Sequence, residues 1–429
     1  MKDKDWIKLD NAALIYPATL TRKLASMFRL TITFFENIDT IVLKEAIKYI
    51  MQRFPTFNYT LKEGFFWCYL NKIDKVPRIE EDAQNPMIRK DFDKKFMFRI
   101  RVFKNRLAIE YFHALTDGTG ALTFILTLSG EYLKRKYNTK ISYNKYVLNP
   151  KDKPTEDETS DSFLKFSRNA GALEHEKRAY HIKGNNEKDN IINIITGKIN
   201  INDIKNISKK YDSNITEFIT SMLIFSVMQM AHTKKEIKVS VPVNLRNYYD
   251  TRTLRNFSSY VNVGITPDEN YTLSEIIDIV KLQLKEKLKE KKINAKISGN
   301  VKLMKNHIIR RIPMFIKKHI MSIIEAKMGD GYITTTFSNL GLVELPIQMS
   351  KYITDMNFII GKSRGKSGSV SAIGYKDNLY ITFSRKIKES EFERIFFTNL
   401  SKMGLNIEIE SNRWRKWNVK IVMWKFRLI

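Results

Sequence analysis

Cysteine is almost absent from this sequence of 429 residues, where Cys68 stands alone. A single cysteine excludes an intramolecular disulfide and any metal cluster held by several thiolates. The aromatic neighbours of Cys68 predict a buried strand position rather than a reactive thiol. Histidine is scarce too, with six in the chain and none at the HxxxH spacing of a helical zinc site, so we expect no metal site.

Long hydrophobic runs are also missing. The longest apolar stretch, around Ile219–Ala231, is too short to cross a bilayer and contains serine and glutamine. The charged segment Met1–Asp10 has no apolar core of the kind that signal peptides carry. We therefore expect a cytoplasmic protein that is not integral to a membrane.

Acidic residues are few compared with basic ones, 46 against 74, which gives a formal net charge of +28. Such an excess predicts an anionic partner: nucleic acid, an anionic membrane surface, or an acidic small molecule or carrier. The basic residues are spread along the chain, as in the helical run Lys281–Lys292, instead of forming a patch or tail. We therefore expect no nucleic-acid partner. A solvated, lysine-rich surface is the alternative explanation.

What the sequence does contain is typical of a globular protein, with 43% hydrophobic and 28% charged residues and enough length for two cores. Hydrophobic periodicity alternates between helix and strand in both halves, which predicts an α/β protein with mixed sheets in two lobes. The predicted strands include 106–112, 237–243, 258–265 and 332–337, and the predicted helices include 120–136 and 273–291.

The polar, acidic segment Lys151–Ser162 separates the two halves and contains Pro154. This composition predicts a linker, and an ordered surface loop is the alternative. We therefore divide the chain into an N-terminal lobe (1–160), a C-terminal lobe (161–412) and a basic tail (413–429).

The sharpest local signal for chemistry is His-Ala-Leu-Thr-Asp-Gly at residues 113–118, between a predicted strand and a predicted helix. Histidine exchanges a proton near neutral pH, so His113 is a candidate general base. Gly118 allows a tight turn at the strand end. Asp117 is expected to hold the loop by pairing with a cation.

This motif resembles the HxxxD(G) signature of the CoA-dependent acyltransferase superfamily, which includes chloramphenicol acetyltransferase and nonribosomal-peptide condensation domains. Segments across residues 8–410 are similar to bacterial alcohol acetyltransferases in particular. The landmarks are residues 10–17, 53–55, 64–67, 241–246, 253–257 and 338–341. Phe112 replaces the second histidine of peptide-bond-forming condensation domains, and the DFGWG motif of the plant enzymes is missing. A dihydrolipoamide acyltransferase is disfavoured because the motif lies in the first third of the chain.

The resemblance implies two similar lobes, each a mixed sheet flanked by helices, with a tunnel between them and His113 at its centre. His113 would deprotonate the acceptor, and Asp117 would form a structural ion pair with Arg246. A strand that ends at an exposed arginine is the alternative for Arg246.

The same resemblance makes Ser338 and Asn339 candidates for donating hydrogen bonds to the oxyanion of the tetrahedral intermediate. A plain turn is the alternative for this Ser-Asn-Leu-Gly segment, because asparagine and glycine favour turns.

The expected activity is transfer of an acyl group from acyl-CoA or an acyl carrier protein to the hydroxyl group of a small alcohol or a hydroxylated lipid. The thioester is a co-substrate, so no tightly bound cofactor is expected, and we expect a monomer. The alternative is a catalytically silent protein of the same fold that binds a carrier protein or a membrane surface.

The tail from Arg413 to Ile429 holds three of the five tryptophans and six cations but no acidic residue. A cationic helix with interfacial tryptophans can lie on an anionic bilayer, so the tail could place the protein at the inner membrane face. The alternative is that the tail packs on the body of the protein.

Overall fold

The computed structural model describes residues 5–11, 13–14, 16, 26–83, 96–168, 176–187, 191–268, 270–324, 330–361 and 368–413. The strands are β1 (Trp6–Lys8), β2 (Met27–Phe34), β3 (Tyr59–Glu63), β4 (Cys68–Lys72), β5 (Ile79–Glu81), β6 (Phe98–Phe103), β7 (Arg106–Phe112), β8 (Asn193–Asn200), β9 (Ile237–Asn244), β10 (Ser258–Ile265), β11 (Thr335–Val343), β12 (Ile353–Ile360), β13 (Ser369–Tyr375), β14 (Asn378–Arg385) and β15 (Ile407–Ser411).

The α-helices are α1 (Thr40–Ile50), α2 (Gly118–Tyr137), α3 (Glu156–Thr159), α4 (Ser162–Phe166), α5 (Ile201–Lys210), α6 (Ile215–Met230), α7 (Leu273–Lys287), α8 (Glu290–Lys305), α9 (His307–Arg311), α10 (Met314–Ile324), α11 (Ile347–Ser350) and α12 (Glu391–Lys402). Three short 3-10 helices occupy Pro55–Asn58, Leu245–Asn247 and Asp330–Tyr332.

The first core forms around a five-stranded sheet of order β12-β2-β7-β6-β5 and the helices α1 and α2. Helix α1 begins where the Asp39 carboxylate accepts hydrogen bonds from two backbone amides of the first turn. Its apolar residues recur at helical spacing and are buried, as in Leu43 and Ile47. Helix α2 is buried on all sides from Gly120 to Leu133.

The second core forms around a seven-stranded sheet of order β10-β9-β11-β13-β14-β8-β15. Strand β11 pairs in parallel with β9 and β13, while the other neighbours are antiparallel, so the sheet is mixed. Helices α6, α7 and α12 contribute the apolar residues that cover it. The prediction of an α/β protein with mixed sheets flanked by helices is confirmed.

One strand crosses the division that we placed at residue 160. Strand β12 pairs with β2 in the first sheet, although it lies far along the second half of the chain. Its Asn357 also contacts the second sheet, because Thr382 Oγ1 donates to Asn357 Oδ1 over 3.0 Å. A cut at residue 160 therefore does not separate the two sheets.

The segment Lys151–Ser162 is an ordered, packed part of the structure, so the linker prediction is corrected in favour of its alternative. Glu158 is buried and forms an ion pair with Arg53 over 2.6 Å. The Leu254 amide donates to the Glu158 carbonyl over 2.8 Å. Three of the acidic side chains that suggested a solvated linker, Asp157, Glu158 and Asp161, therefore have partners in the body of the protein.

Two other element boundaries differ from prediction. The predicted helix 273–291 ends at Lys287, and α8 begins at Glu290 to pack on a separate cluster with α4. The predicted strand 332–337 is β11, which starts at Thr335 and continues to Val343. A bulge between Asn339 and Leu342, with Gly341 at a φ of 75°, accommodates residues that favour a turn.

Cys68 is buried at the start of β4, in agreement with prediction, and burial raises the pKa of its thiol to about 11. Within the described residues, no helix is both long and apolar enough to cross a membrane. The tail beyond Arg413 lies outside the described residues.

Candidate active site

His113 lies directly after β7 and five residues before α2 begins. Its backbone amide donates to the Ser26 carbonyl over 2.8 Å, which fixes the chain as it leaves the sheet. The imidazole stacks on Tyr16 at a centroid distance of 4.7 Å and meets the edge of Phe28 at 5.1 Å. The ring is packed among these neighbours, yet the residue retains part of its solvent-accessible surface.

The inner nitrogen of His113 is held by Asn256, which lies in the segment before β10. Nδ1 of His113 is 3.1 Å from Asn256 Oδ1. The Asn256 amide nitrogen donates to Asp10 Oδ2 over 3.3 Å, so the amide oxygen must face the ring. An oxygen acceptor at Nδ1 selects the tautomer that carries its proton there. Nε2 is then left with a lone pair that can accept a proton.

Burial lowers the pKa of His113 below its ordinary value, because an imidazolium is costly to form away from water. The Asp117 charge and the Asn256 hydrogen bond oppose this effect without cancelling it. The ring is therefore neutral at neutral pH, which is the state that a general base requires.

Asp10 is fully buried, and burial raises the pKa of its carboxyl from 3.8 to about 6. The Arg255 guanidinium, 3.5 Å away, opposes the shift. Asp10 also accepts from two backbone amides, those of Ala13 and Asn256. Asp10 is therefore the buried end of the hydrogen-bonded series that leads through Asn256 to His113.

Asp117 is occupied by structural contacts. It caps α2 by accepting from the Gly120 amide over 3.1 Å. Its other oxygen accepts from Arg246 Nη1 over 2.8 Å and from the Phe257 amide over 2.7 Å. Asp117 therefore fixes the residue next to Asn256, and through it the partner of the His113 ring.

Arg246 lies in the 3-10 helix that follows β9 and gathers the loop 253–257 around itself. Its guanidinium donates to the carbonyls of Thr253 and Arg255 over 2.7 Å each, besides its ion pair with Asp117. The structure thus brings together the two residues that the resemblance paired.

Gly118 is the first residue of α2 and does not have a positive φ, so it is not required for a left-handed turn. A Cβ there would come within 2.7 Å of the Leu340 side chain. Gly120 is more constrained, because a Cβ would lie 2.2 Å from the Leu254 carbonyl oxygen. Both glycines therefore allow the motif to pack closely against segments from the second half of the chain.

Ser338 and Asn339 lie within β11 instead of at its end, and they face opposite sides. The Asn339 side chain donates to Thr216 and accepts from the Gly341 amide, so it builds the bulge. Ser338 pairs with Ser371, which faces the first sheet and donates to the Phe358 carbonyl. Of the two, Ser338 faces the side on which the motif lies, whereas the Asn339 side chain faces Thr216.

The contribution of Asp10 and Asn256 was not predicted. Both lie in segments that the resemblance identified, but neither segment contains a feature that assigns a role to one residue. A lone acidic residue among apolar ones, as in Leu9-Asp10-Asn11-Ala12-Ala13, is the one signal that could have indicated a buried carboxylate. Among the described residues, no group of three or more His, Cys, Asp or Glu side chains is placed to hold a metal ion.

No family model and no curated protein matches the sequence. Solved structures do share its fold. TRI101 from F. sporotrichioides, complexed with coenzyme A and T-2, has 11% identity and a TM-score of 0.64 over 96% of this chain and 100% of that chain. TRI3 trichothecene 15-O-acetyltransferase from Fusarium sporotrichioides has 10% identity and a TM-score of 0.60 over 92% and 93%.

A variant of the starter condensation domain of rhizomide synthetase RzmA, in complex with C8-CoA, has 11% identity and a TM-score of 0.58 over 92% of this chain and 93% of that chain. At these identities the similarity shows the fold alone. The chain has the fold shared by CoA-dependent acyltransferases and condensation domains.

Proposed function

We propose that this protein is an acyltransferase that moves an acyl group from a thioester to the hydroxyl group of an alcohol or a hydroxylated lipid. His113 is the general base. The observation that supports the proposal is the hydrogen-bonded series Asp10–Asn256–His113, which holds Nδ1 of the imidazole and makes Nε2 the nitrogen that would accept a proton.

In the proposed reaction, His113 Nε2 takes the proton of the acceptor hydroxyl while the acceptor oxygen attacks the thioester carbonyl carbon. The tetrahedral intermediate then collapses, the carbon–sulfur bond breaks, and the imidazolium returns the proton to the thiolate. The products are an ester and a free thiol, and no acyl-enzyme forms. Ser338 is the candidate donor to the oxyanion.

The donor is acyl-CoA or an acyl carrier protein. Relatives in fold include proteins crystallised with coenzyme A and with C8-CoA, which supports a CoA thioester. The positive net charge favours association with either polyanionic donor.

The test is release of free thiol by purified protein supplied with a panel of acyl-CoAs, or an acyl carrier protein, and a panel of alcohols. Cys68 is buried and its pKa is raised to about 11, so it adds little background to a thiol assay. We expect His113→Ala to lower the rate roughly 10²–10⁴-fold. His181→Ala, a substitution at another partly buried histidine, should leave the rate unchanged.

Equal rates for His113→Ala and the wild type would overturn the mechanism. The alternative function, a silent protein that binds a carrier protein or a membrane surface, predicts no turnover with either donor class. Saturable binding of a carrier protein or of vesicles without turnover would therefore favour that alternative.

A further inference from the structure

Five exposed apolar side chains lie on two neighbouring elements, the turn 64–67 between β3 and β4 and the helix α10. Phe65 and Phe315 are the most exposed of the five, with 68% and 66% of their surface accessible. The other exposed apolar residues here are Phe66, Ile316 and Ile320. We call these five side chains the apolar tip.

Four contacts join α10 to the turn and to the end of β3. The Met314 amide donates to the Phe65 carbonyl over 2.7 Å. Lys317 Nζ donates to the Phe66 carbonyl over 2.9 Å and lies 3.4 Å from the centre of the Trp67 ring. Lys318 forms an ion pair with Glu63. The apolar tip is therefore presented by two elements that are fixed to each other.

The helices beside the apolar tip are strongly basic. Residues 291–324, which cover α8 after its first residue Glu290, α9 and α10, contain nine lysines and arginines and no aspartate or glutamate. Exposed cations lie on the two helices before α10, namely Lys302, Lys305, Arg310 and Arg311. Exposed aromatic side chains beside a predominantly cationic surface are typical of proteins that bind at an anionic bilayer.

We propose that the apolar tip and the cations of residues 291–324 form a docking surface for an anionic lipid bilayer. The phenylalanine and isoleucine side chains enter the interfacial region, and the cations contact lipid phosphates. A bilayer is favoured over an acidic protein because Phe65 and Phe315 each expose about two thirds of their surface next to helices that carry exposed cations.

This surface is connected to the candidate active site through β1. Strand β1 pairs with β4, which starts next to the apolar tip, and Asp10 follows β1 by two residues. The inference that the bilayer also supplies the hydroxylated lipid acceptor rests on the proposed function. Docking of the protein on the bilayer does not depend on that function.

The experiment is co-sedimentation of the full-length protein with vesicles of phosphatidylcholine alone and of equal parts phosphatidylcholine and phosphatidylglycerol. We expect binding to the anionic vesicles only, weakened by added salt. Phe65→Ser/Phe315→Ser should lower the partition coefficient roughly tenfold or more. Arg310→Glu/Arg311→Glu should lower it as well.

The matched control is Phe35→Ser/Ile347→Ser, because these residues are 73% and 80% exposed elsewhere on the protein. It should bind as the wild type does. Thermal unfolding of each variant checks that the fold is retained, and Ile316→Ser/Ile320→Ser serves as a second test of the apolar tip if the first variant unfolds.

Three outcomes overturn the proposal. The first is that the protein does not bind anionic vesicles, whether or not it binds another protein through Phe65 and Phe315. Another is equal binding by the apolar-tip variants and the control. The third is binding that is lost only in a full-length Trp417→Ser/Trp424→Ser variant, which would assign the contact to the tail. Turnover of a short soluble alcohol should be the same in apolar-tip variants and wild type, so docking and the proposed function fail separately.

Discussion

Asp117 and Arg246, 129 residues apart in the chain, form a buried ion pair with 2.8 Å between Oδ2 and Nη1. The same carboxylate oxygen accepts from the Phe257 amide. The pair thus joins the start of α2 in the first core to the loop that carries Asn256. Both oxygens of Asp117 accept hydrogen bonds from these groups and from the start of α2, and neither bonds to the His113 imidazole. Asp117 therefore has a positioning role.

Arg246→Ala should destabilise the protein by about 3–5 kcal/mol, because it leaves the Asp117 carboxylate buried without its cation. Thiol release should fall in the same variant, since the loop that holds Asn256 loses its central contact. Urea denaturation measures the free energy of unfolding. Lys281→Ala is the control, because its partner Asp212 is fully exposed and stability should change little. Equal losses in the two variants would contradict the structural role of the Asp117–Arg246 pair.

Asn256→Ala should lower kcat by roughly 10²-fold with little change in KM, because the His113 ring is no longer held with its proton on Nδ1. The matched control is Asn262→Ala, another buried asparagine, whose amide bonds to Glu176 and not to the site. The control should lose stability but keep kcat. A loss of kcat in proportion to stability in both variants would show that Asn256 has no positioning role.

The pH dependence of kcat/KM should reflect the lowered pKa of His113. The neutral ring is the active form, so activity should fall on the acid side with a midpoint below the ordinary histidine value of 6.5. The Asn256 hydrogen bond raises this pKa, so its loss in Asn256→Ala should move the midpoint to still lower pH. A midpoint above 6.5 in the wild type would be inconsistent with a buried, neutral imidazole.

The sequence was most informative where chemistry and structure are local. The motif 113–118 is a strand end followed by a helix start, and both could be predicted because hydrophobic period and residue type change together there. The Asp117–Arg246 pair was expected from the resemblance. The contact of Asn256 with Asp10 was not, because it joins residues 246 positions apart and depends on how the segment at the end of β1 packs against the segment before β10.

The pairing of β12 with β2 could not be predicted, for a related reason. Its alternation predicts a strand, but the choice of β2 as its neighbour depends on packing between the two cores, which no local pattern encodes. Ser338 to Gly341 were open to a turn because their backbone preferences permit one. Parallel pairing with β13 holds Ser338 and Asn339 in the sheet instead, and the bulge before Leu342 takes up Leu340 and Gly341.

Asp10→Asn should remove a pH dependence of stability. The folded-state pKa of about 6 lies above the ordinary 3.8, so the folded protein binds the extra proton between these values and wild-type stability falls as pH rises. Relative to Asp10→Asn, the wild type should lose about 3 kcal/mol between pH 4 and 7, at 1.4 kcal/mol per pKa unit. Below this window and above it, the difference should be constant.

Asp212→Asn provides a control of opposite sign for the Asp10 experiment. Its contact with Lys281 lowers the pKa of Asp212, so the wild type should gain stability relative to that variant as pH rises through the acid range. Urea denaturation of the three proteins at a series of pH values measures both trends. If the wild type instead gained stability relative to Asp10→Asn as pH rises, the Asp10 carboxylate would be stabilised as an anion.

Ser338→Ala and Asn339→Ala should separate chemistry from architecture within one strand. If Ser338 donates to the oxyanion, its removal should lower kcat roughly 10²–10³-fold with stability nearly unchanged. Asn339→Ala should instead lower stability, because it removes the bonds to Thr216 and to the Gly341 amide that hold the bulge. The two substitutions are adjacent but face opposite sides of β11, so a shared effect on kcat would mean that the strand, and not the serine hydroxyl, matters. In that case the oxyanion donor must be sought on another element near His113.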